Sequence, residues 1–191
     1  NLDGARTANA IRNAACLSMS PPFEAVRDGA SVRHLWSGIA NLSGIMAAQF
    51  AKSETSTAER AAVLAFEELV GTNFDQMRAI AELGRVWEIE RGYFKVHACC
   101  RHGHAAIDAV LKATGSRTIR PEEVRYLGVR TYRDAVRVMT PTEYPRNGLS
   151  AKFALPYVLA IALLHGKVSP EHFLPPILHN PDVAKLSGLI S

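Results

Sequence analysis

The run Phe94-Lys95-Val96-His97-Ala98-Cys99-Cys100-Arg101-His102-Gly103-His104-Ala105-Ala106-Ile107-Asp108-Ala109 gathers three His, two Cys, one Lys and one Arg. Imidazole gives or accepts a proton near neutrality, and guanidinium grips a carboxylate through parallel N–H groups. Acid/base work on an anionic substrate is the chemistry this set suits. Phe94, Val96 and Ala98 alternate with Lys95 and His97, which predicts a half-buried strand, whereas Ile107, Val110 and Leu111 recur at helical spacing from His104 onward. The cluster therefore falls on a strand-to-helix junction, where the free N–H groups of a first helical turn favour an anion. His104 and Asp108 are one turn apart on one face of that helix.

Two other chemistries fit these residues less well. His97, Cys99, Cys100, His102 and His104 are all zinc-ligand types, but structural zinc sites draw ligand pairs from two separate clusters, and here a single cluster with adjacent cysteines would supply everything. No metal is expected. Either cysteine could act as a nucleophile, yet a free thiol is more often buried packing.

The elements that must position the cluster are read from periodicity and punctuation. Thr7 to Leu17 is an Ala-rich helix with Ile11, Ala14, Ala15 and Leu17 on one side, ended by Pro21-Pro22, and a linker runs through Arg27-Asp28-Gly29-Ala30. Gly38 to Lys52 is a helix with an apolar stripe of Ile39, Leu42, Ile45, Met46 and Phe50, while Gly44, Ala47, Ala48 and Ala51 keep its other faces small for close packing. Ser56 with Glu59 forms a capping-box signal for a further helix that Gly71 closes. After the His104 helix, which stops at Gly115, Val124 to Thr131 has the β-branched and aromatic content of a strand. Pro156 near a start with Gly166 at an end, then Ser169-Pro170 and Asn180-Pro181, predict three more helices. The fold class is mostly α with a small α+β part: residues 1–92 all-helical, residues 93–191 α+β.

Composition bounds the function. The chain has 191 residues, 48% hydrophobic and 21% charged, which is globular rather than disordered. The apolar run Leu155 to Leu164 is far short of the roughly 20 residues that cross a bilayer. Three cysteines, two of them adjacent, suit a reducing, cytoplasmic setting. The net charge is +4, and the excess is local: ten Lys and Arg between Arg91 and Arg137 face only Asp108, Glu122, Glu123 and Asp134. That stretch attracts anions, small or polymeric. The start, Asn1-Leu2-Asp3-Gly4, has neither an initiator Met nor a targeting pattern and reads as the middle of a longer chain.

Three segments in order, Arg33-His34-Leu35-Trp36-Ser37-Gly38, then Phe94 to Ala109, then Ala151-Lys152-Phe153-Ala154-Leu155-Pro156-Tyr157, resemble the MmgE/PrpD family. The middle one resembles the family pattern FK-x-x-x-x-C-R-x-x-H-x-x-x-D-A, and the last its A-K-F-S-L-P-Y pattern. The family includes 2-methylcitrate dehydratase, cis-aconitate decarboxylase and iminodisuccinate epimerase. The resemblance implies a large helical domain carrying a smaller α+β lid, a cleft between them as active site, no metal or organic cofactor, and a homodimer. It also implies that this chain lacks the first part of the helical domain and the closing segment of the lid, and is inactive alone.

By that resemblance His104 is the general acid/base. Arg101, His102 and Lys152 are substrate-binding residues for a small polycarboxylate, and so is Arg33. Arg33 stands where family members often carry Lys, and Trp36 where a His is common. A guanidinium at that position orients or neutralises a carboxylate but exchanges no proton. The activity implied is that of a cofactor-independent lyase resembling 2-methylcitrate dehydratase, with decarboxylase or epimerase as alternatives within the family. Two rivals come from other classes. One is a basic nucleic-acid-binding module, suggested by the Arg-rich stretch but without interleaved aromatics or a recognisable motif. The other is a non-catalytic interaction module, for which Arg33 and Trp36 are the hints.

Overall fold

The computed structural model describes residues 1–18, 21–55, 57–71, 73–141 and 143–191. Its α-helical segments are α1 (Gly4–Leu17), α2 (Glu24–Arg27), α3 (Trp36–Lys52), α4 (Ala61–Leu64), α5 (Gln76–Ile80), α6 (His104–Thr114), α7 (Arg133–Met139), α8 (Gly148–Ala151), α9 (Leu155–His165), α10 (Pro175–Leu178) and α11 (Pro181–Ser187). They divide into two units, one of Asn1–Pro21 with His34–Tyr93 and one of Pro22–Arg33 with Phe94–Ser191.

In the first unit α1 begins where the Asp3 side chain accepts from the Arg6 backbone N–H at 2.8 Å. It packs on α3. The contact uses the small face of α3, with Ala47 and Ala51 buried, and Asn9 and Asn13 both donate to the Thr55 carbonyl at 2.8 and 3.0 Å. The apolar stripe behaves otherwise than its pattern suggested: Ile39, Leu42, Ile45, Met46 and Phe50 are all exposed. Close backbone approach selected the alanines, and in this chain the larger side chains are left outward. The helix that Gly71 was read to close is only α4 followed by a π-type turn at Ala65–Leu69, with Gly71 at φ 72°. Ser56, half of the capping-box signal, lies outside the described residues.

The second unit is built around α9. Its sequence Leu-Pro-Tyr-Val-Leu-Ala-Ile-Ala-Leu-Leu-His is apolar on every face, and Leu155 and Tyr157 to Leu163 are all buried. Pro156 sits in the first turn, where its missing N–H costs nothing, and Gly166 ends the helix in the left-handed region at φ 65°. Helices α6 and α11 pack on it. As Asn180-Pro181 predicted, the Asn180 side chain caps α11 by accepting from the Asp182 N–H at 2.8 Å. Ser169-Pro170 opens only a 3-10 turn, Pro170–Phe173, which leads into the single turn of α10.

Two expected elements differ. Residues 94–98 form no strand; Phe94 is 97% exposed, while the Ala98 N–H donates to Val168 O at 3.2 Å. From 124 to 131 there is one parallel bridge, Leu127 with Ile190, supported by Leu127 N–H to Leu189 O at 2.9 Å and Val129 N–H to Ser191 O at 2.7 Å. Alternation marks which residues suit a sheet face, but a strand exists only where a neighbour completes its ladder. Among the described residues the fold is mostly α, with that bridge its sole β pairing. The segment read as a linker is also structured: within the second unit Val26 is buried, and Asn147 donates through Nδ2 to Gly29 O at 3.1 Å.

Candidate active site

Helix α6 is entered from a 3-10 turn, Arg101–Gly103, so that His104 is its first residue. The turn is pressed against the core. A Cβ added to Gly103 would lie 2.9 Å from Met139 Cε and 3.6 Å from Leu155 Cδ1, so the end of the Met139 side chain would have to shift to admit it. The backbone before it is anchored as well, Cys100 N–H donating to Lys152 O at 2.9 Å. At this packed turn the His104 ring is 1% exposed.

Neither ring nitrogen of His104 has a hydrogen-bond partner, and both are buried. An unpaired buried polar group costs about 1–3 kcal/mol, so its presence asks for a reason. Burial lowers the pKa of His104 from its ordinary 6.5, and the neighbouring His97 and Arg101 push it the same way, with Lys95 adding a little. The Cys99 backbone opposes this weakly, at a geometry short of a hydrogen bond. The ring is therefore neutral at neutral pH, ready to accept a proton and surrounded by cations. Being enclosed, it meets a substrate only after the side chains or the turn covering it move.

His97 supplies the nearest ring. Its plane meets that of His104 edge-on, 5.0 Å between centroids and 65° apart. His97 Nε2 lies 2.8 Å from Asp108 Oδ1. A carboxylate only accepts, so Nε2 carries the hydrogen. Asp108 thus turns to His97 and not to His104, its neighbour one helical turn away.

The other residues expected at the site fall as follows. Arg101 is exposed at the head of α6 and acts electrostatically on His104. His102 is half-buried and its Nδ1 is hydrogen-bonded with the Tyr132 hydroxyl. Lys152 follows α8; its Nζ stands 5.4 Å from the Phe173 ring centroid, and its charge reaches Cys99. Arg33 is exposed on a different turn, Ser31–Leu35. His104, Arg101 and Lys95 are thus drawn together, the charge of Lys152 is felt at Cys99, and Arg33 and His102 belong to separate surroundings.

Cys99 is buried, and burial first, then Cys100, pushes its thiol up to about 12 against the pull of Lys95 and Lys152. It carries no thiolate at neutral pH and is no nucleophile. Among the described residues no three His, Cys, Asp or Glu side chains converge on a point that could hold a metal ion. Part of the basic stretch is ion-paired: Arg91 with Glu88 at 3.1 Å, Arg117 with Glu123 at 2.9 Å, Arg120 with Glu123 at 3.6 Å and Arg137 with Asp134 at 4.0 Å. No helix among the described residues is long and apolar enough to cross a membrane.

Sequence reasoning missed two arrangements. One is the His97–Asp108 pair, for which a His and an Asp flanking the His104 turn were the only signal. The other is a stack of His165 on His172. Compared with known proteins, residues 97–191 match the MmgE/PrpD C-terminal domain. No curated protein matches the chain.

Proposed function

Through residues 97–191 this chain belongs to the MmgE/PrpD family, and from that premise we propose that it is part of a cofactor-independent lyase acting on a small di- or tricarboxylate, resembling 2-methylcitrate dehydratase, with His104 as general acid/base. One observation carries the reading: within the family-matched segment, the first residue of α6 is a buried imidazole whose two nitrogens lack partners and whose neighbours are cations. A ring placed for structure alone would have been paired or replaced by an apolar side chain.

The chemistry follows from elimination of water next to a carboxylate. His104 takes the proton from the carbon beside the carboxylate, the electron pair forms the double bond, and the C–O bond breaks. The departing hydroxyl receives the proton that His104 has taken up and leaves as water, which restores the neutral imidazole. Arg101 and Lys95 stabilise the negative charge that grows on the carboxylate as the C–H bond weakens. Arg101 and Lys152 anchor carboxylates, and Arg33 and His102 complete the set if the enzyme closes around its substrate. Decarboxylation or epimerisation needs the same carbanion handling, so those family activities are the alternatives within this reading. On the same reading a helical domain carries a lid and the enzyme works as a cytoplasmic homodimer.

The test is turnover of citrate-like acids by the protein that carries this chain. His104→Gln is expected to lower kcat by about 10²- to 10⁴-fold. Near wild-type turnover in that variant removes His104 from the mechanism.

A further inference from the structure

His104 has no hydrogen bond to fix the direction of its ring. Its neighbour does. His97, in the segment ahead of α6, is itself buried, and the 2.8 Å bond from Nε2 to Asp108 Oδ1 settles both where its hydrogen sits and how its plane lies. That plane then meets the edge of His104. Asp108 is 67% exposed, so the trio runs from the surface inward: carboxylate, pinned imidazole, partnerless imidazole. Asp108 comes one turn after His104 on α6, and His97 comes seven residues before it; the bend at residues 96–99 brings the two ends of this arrangement together.

We propose that His97, pinned by Asp108, is the positioning residue for His104, holding the ring of the proton-transferring group at the angle the reaction needs. The inference rests on the acid/base reading of His104. His97 touches no substrate in this scheme and acts only through the second ring. The charges that act on His104 are those of His97 on its own side and of Arg101 and Lys95 beside it, and His97 outranks both cations in lowering the pKa of His104. A residue that merely filled space there would leave the titration of His104 alone.

The experiment compares His97→Gln, Asp108→Asn and His104→Gln in the full chain. It reads kcat and KM on a citrate-type acid across pH, together with imidazole titration by ¹H–¹⁵N NMR. His97→Gln is expected to raise the pH at which His104 titrates, because a repulsive neighbour is gone. The pH–rate limb that reports His104 moves upward with it, whether the ring acts as base or as acid. Both His97→Gln and Asp108→Asn should lower kcat by roughly 10- to 100-fold with little change in KM, the signature of a misaligned group and not of weakened binding. An unchanged His104 titration in His97→Gln, or wild-type kcat in both variants while His104→Gln is inactive, overturns the positioning role and leaves the acid/base reading standing. Retained turnover in His104→Gln removes that reading and the inference with it. If His97→Gln does not fold, Asp108→Asn decides, since its side chain lies mostly in solvent.

Discussion

His165, the last residue of α9, and His172, in the turn Pro170–Phe173, stack face to face with ring centroids 4.5 Å apart and planes within 24°. The Ser169 backbone N–H donates to His172 Nδ1 at 3.1 Å, which requires a lone pair on that nitrogen. The Tyr157 hydroxyl, inside the core, donates to the carbonyl of the same His172 at 2.6 Å. Two neutral imidazoles thus join the end of the central helix to the turn that follows it.

Stability is expected to depend on pH through this pair. Burial lowers the pKa of both rings below 6.5, helped by Lys167 at His165 and by His165 at His172, while Glu171 pulls each upward. His104 shifts in the same direction. Because the folded values lie below the unfolded ones, the unfolded chain binds more protons in the interval between them. Stability is therefore complete above about pH 6.5 and declines as pH falls from there toward the folded values. Thermal melts followed by circular dichroism should show a falling Tm between about pH 7 and 5, and His172→Gln should flatten part of the slope. A level profile through that range would contradict the buried, neutral state of these rings.

The cysteines should differ sharply in reactivity. Cys16 is exposed, whereas Cys99 is buried with its thiol pushed up to about 12. A thiol reagent at neutral pH is expected to modify Cys16 in the native protein and Cys99 only after denaturant is added. Mass spectrometry of the labelled peptides reads this directly. Labelling of Cys99 in the native state at a rate comparable with Cys16 would show that the region around His104 opens readily.

Gly148 marks a backbone approach that a side chain does not fit. A Cβ there would run into the carbonyl oxygen of Phe173, which belongs to the turn holding His172. Gly148→Ala should therefore destabilise the second unit by about 1–3 kcal/mol despite the higher helix propensity of Ala. Denaturant unfolding of the variant tests it, and a neutral or stabilising outcome would mean that α8 and the Pro170–Phe173 turn do not lie this close.

How much of this was legible differs element by element. Helix α9 announced itself because Pro156, an unbroken apolar run and Gly166 all act locally, and the same holds for Asn180 at α11. The head of α6 at His104 was readable from the change of period at Gly103. The strands were not, because alternation at Phe94, Val96 and Ala98 says nothing about whether a partner lies alongside. The face of α3 was misjudged for a related reason: stripe and small face compete for the interior, and only tertiary packing shows that Ala47 and Ala51 won. At the candidate site, His104 and Arg101 are neighbours along the chain and could be found there. The link from Asp108 to His97 depends on the bend at residues 96–99, and the stack of His165 on His172 on the turn after α9. Neither leaves a periodic trace.

His104 is where stability and function should separate. Its ring is enclosed in the core with two nitrogens lacking partners, an arrangement that costs about 1–3 kcal/mol relative to a well-paired or apolar occupant. His104→Leu removes those nitrogens and keeps much of the buried volume. The variant is thus expected to be as stable as the parent chain or more so, by up to about 2 kcal/mol, which in a chain of this length raises Tm by about 2–4 °C for each kcal/mol. Turnover on citrate-like acids should nevertheless fall by about 10²- to 10⁴-fold, since no proton can be accepted. A ring that served packing would give the opposite pair of results: lost stability from a poorly filled site, with activity reduced only as far as the protein unfolds. Measuring melting and turnover on the same preparation distinguishes the two, because a functional group kept at a structural cost is the sole case in which one rises as the other collapses.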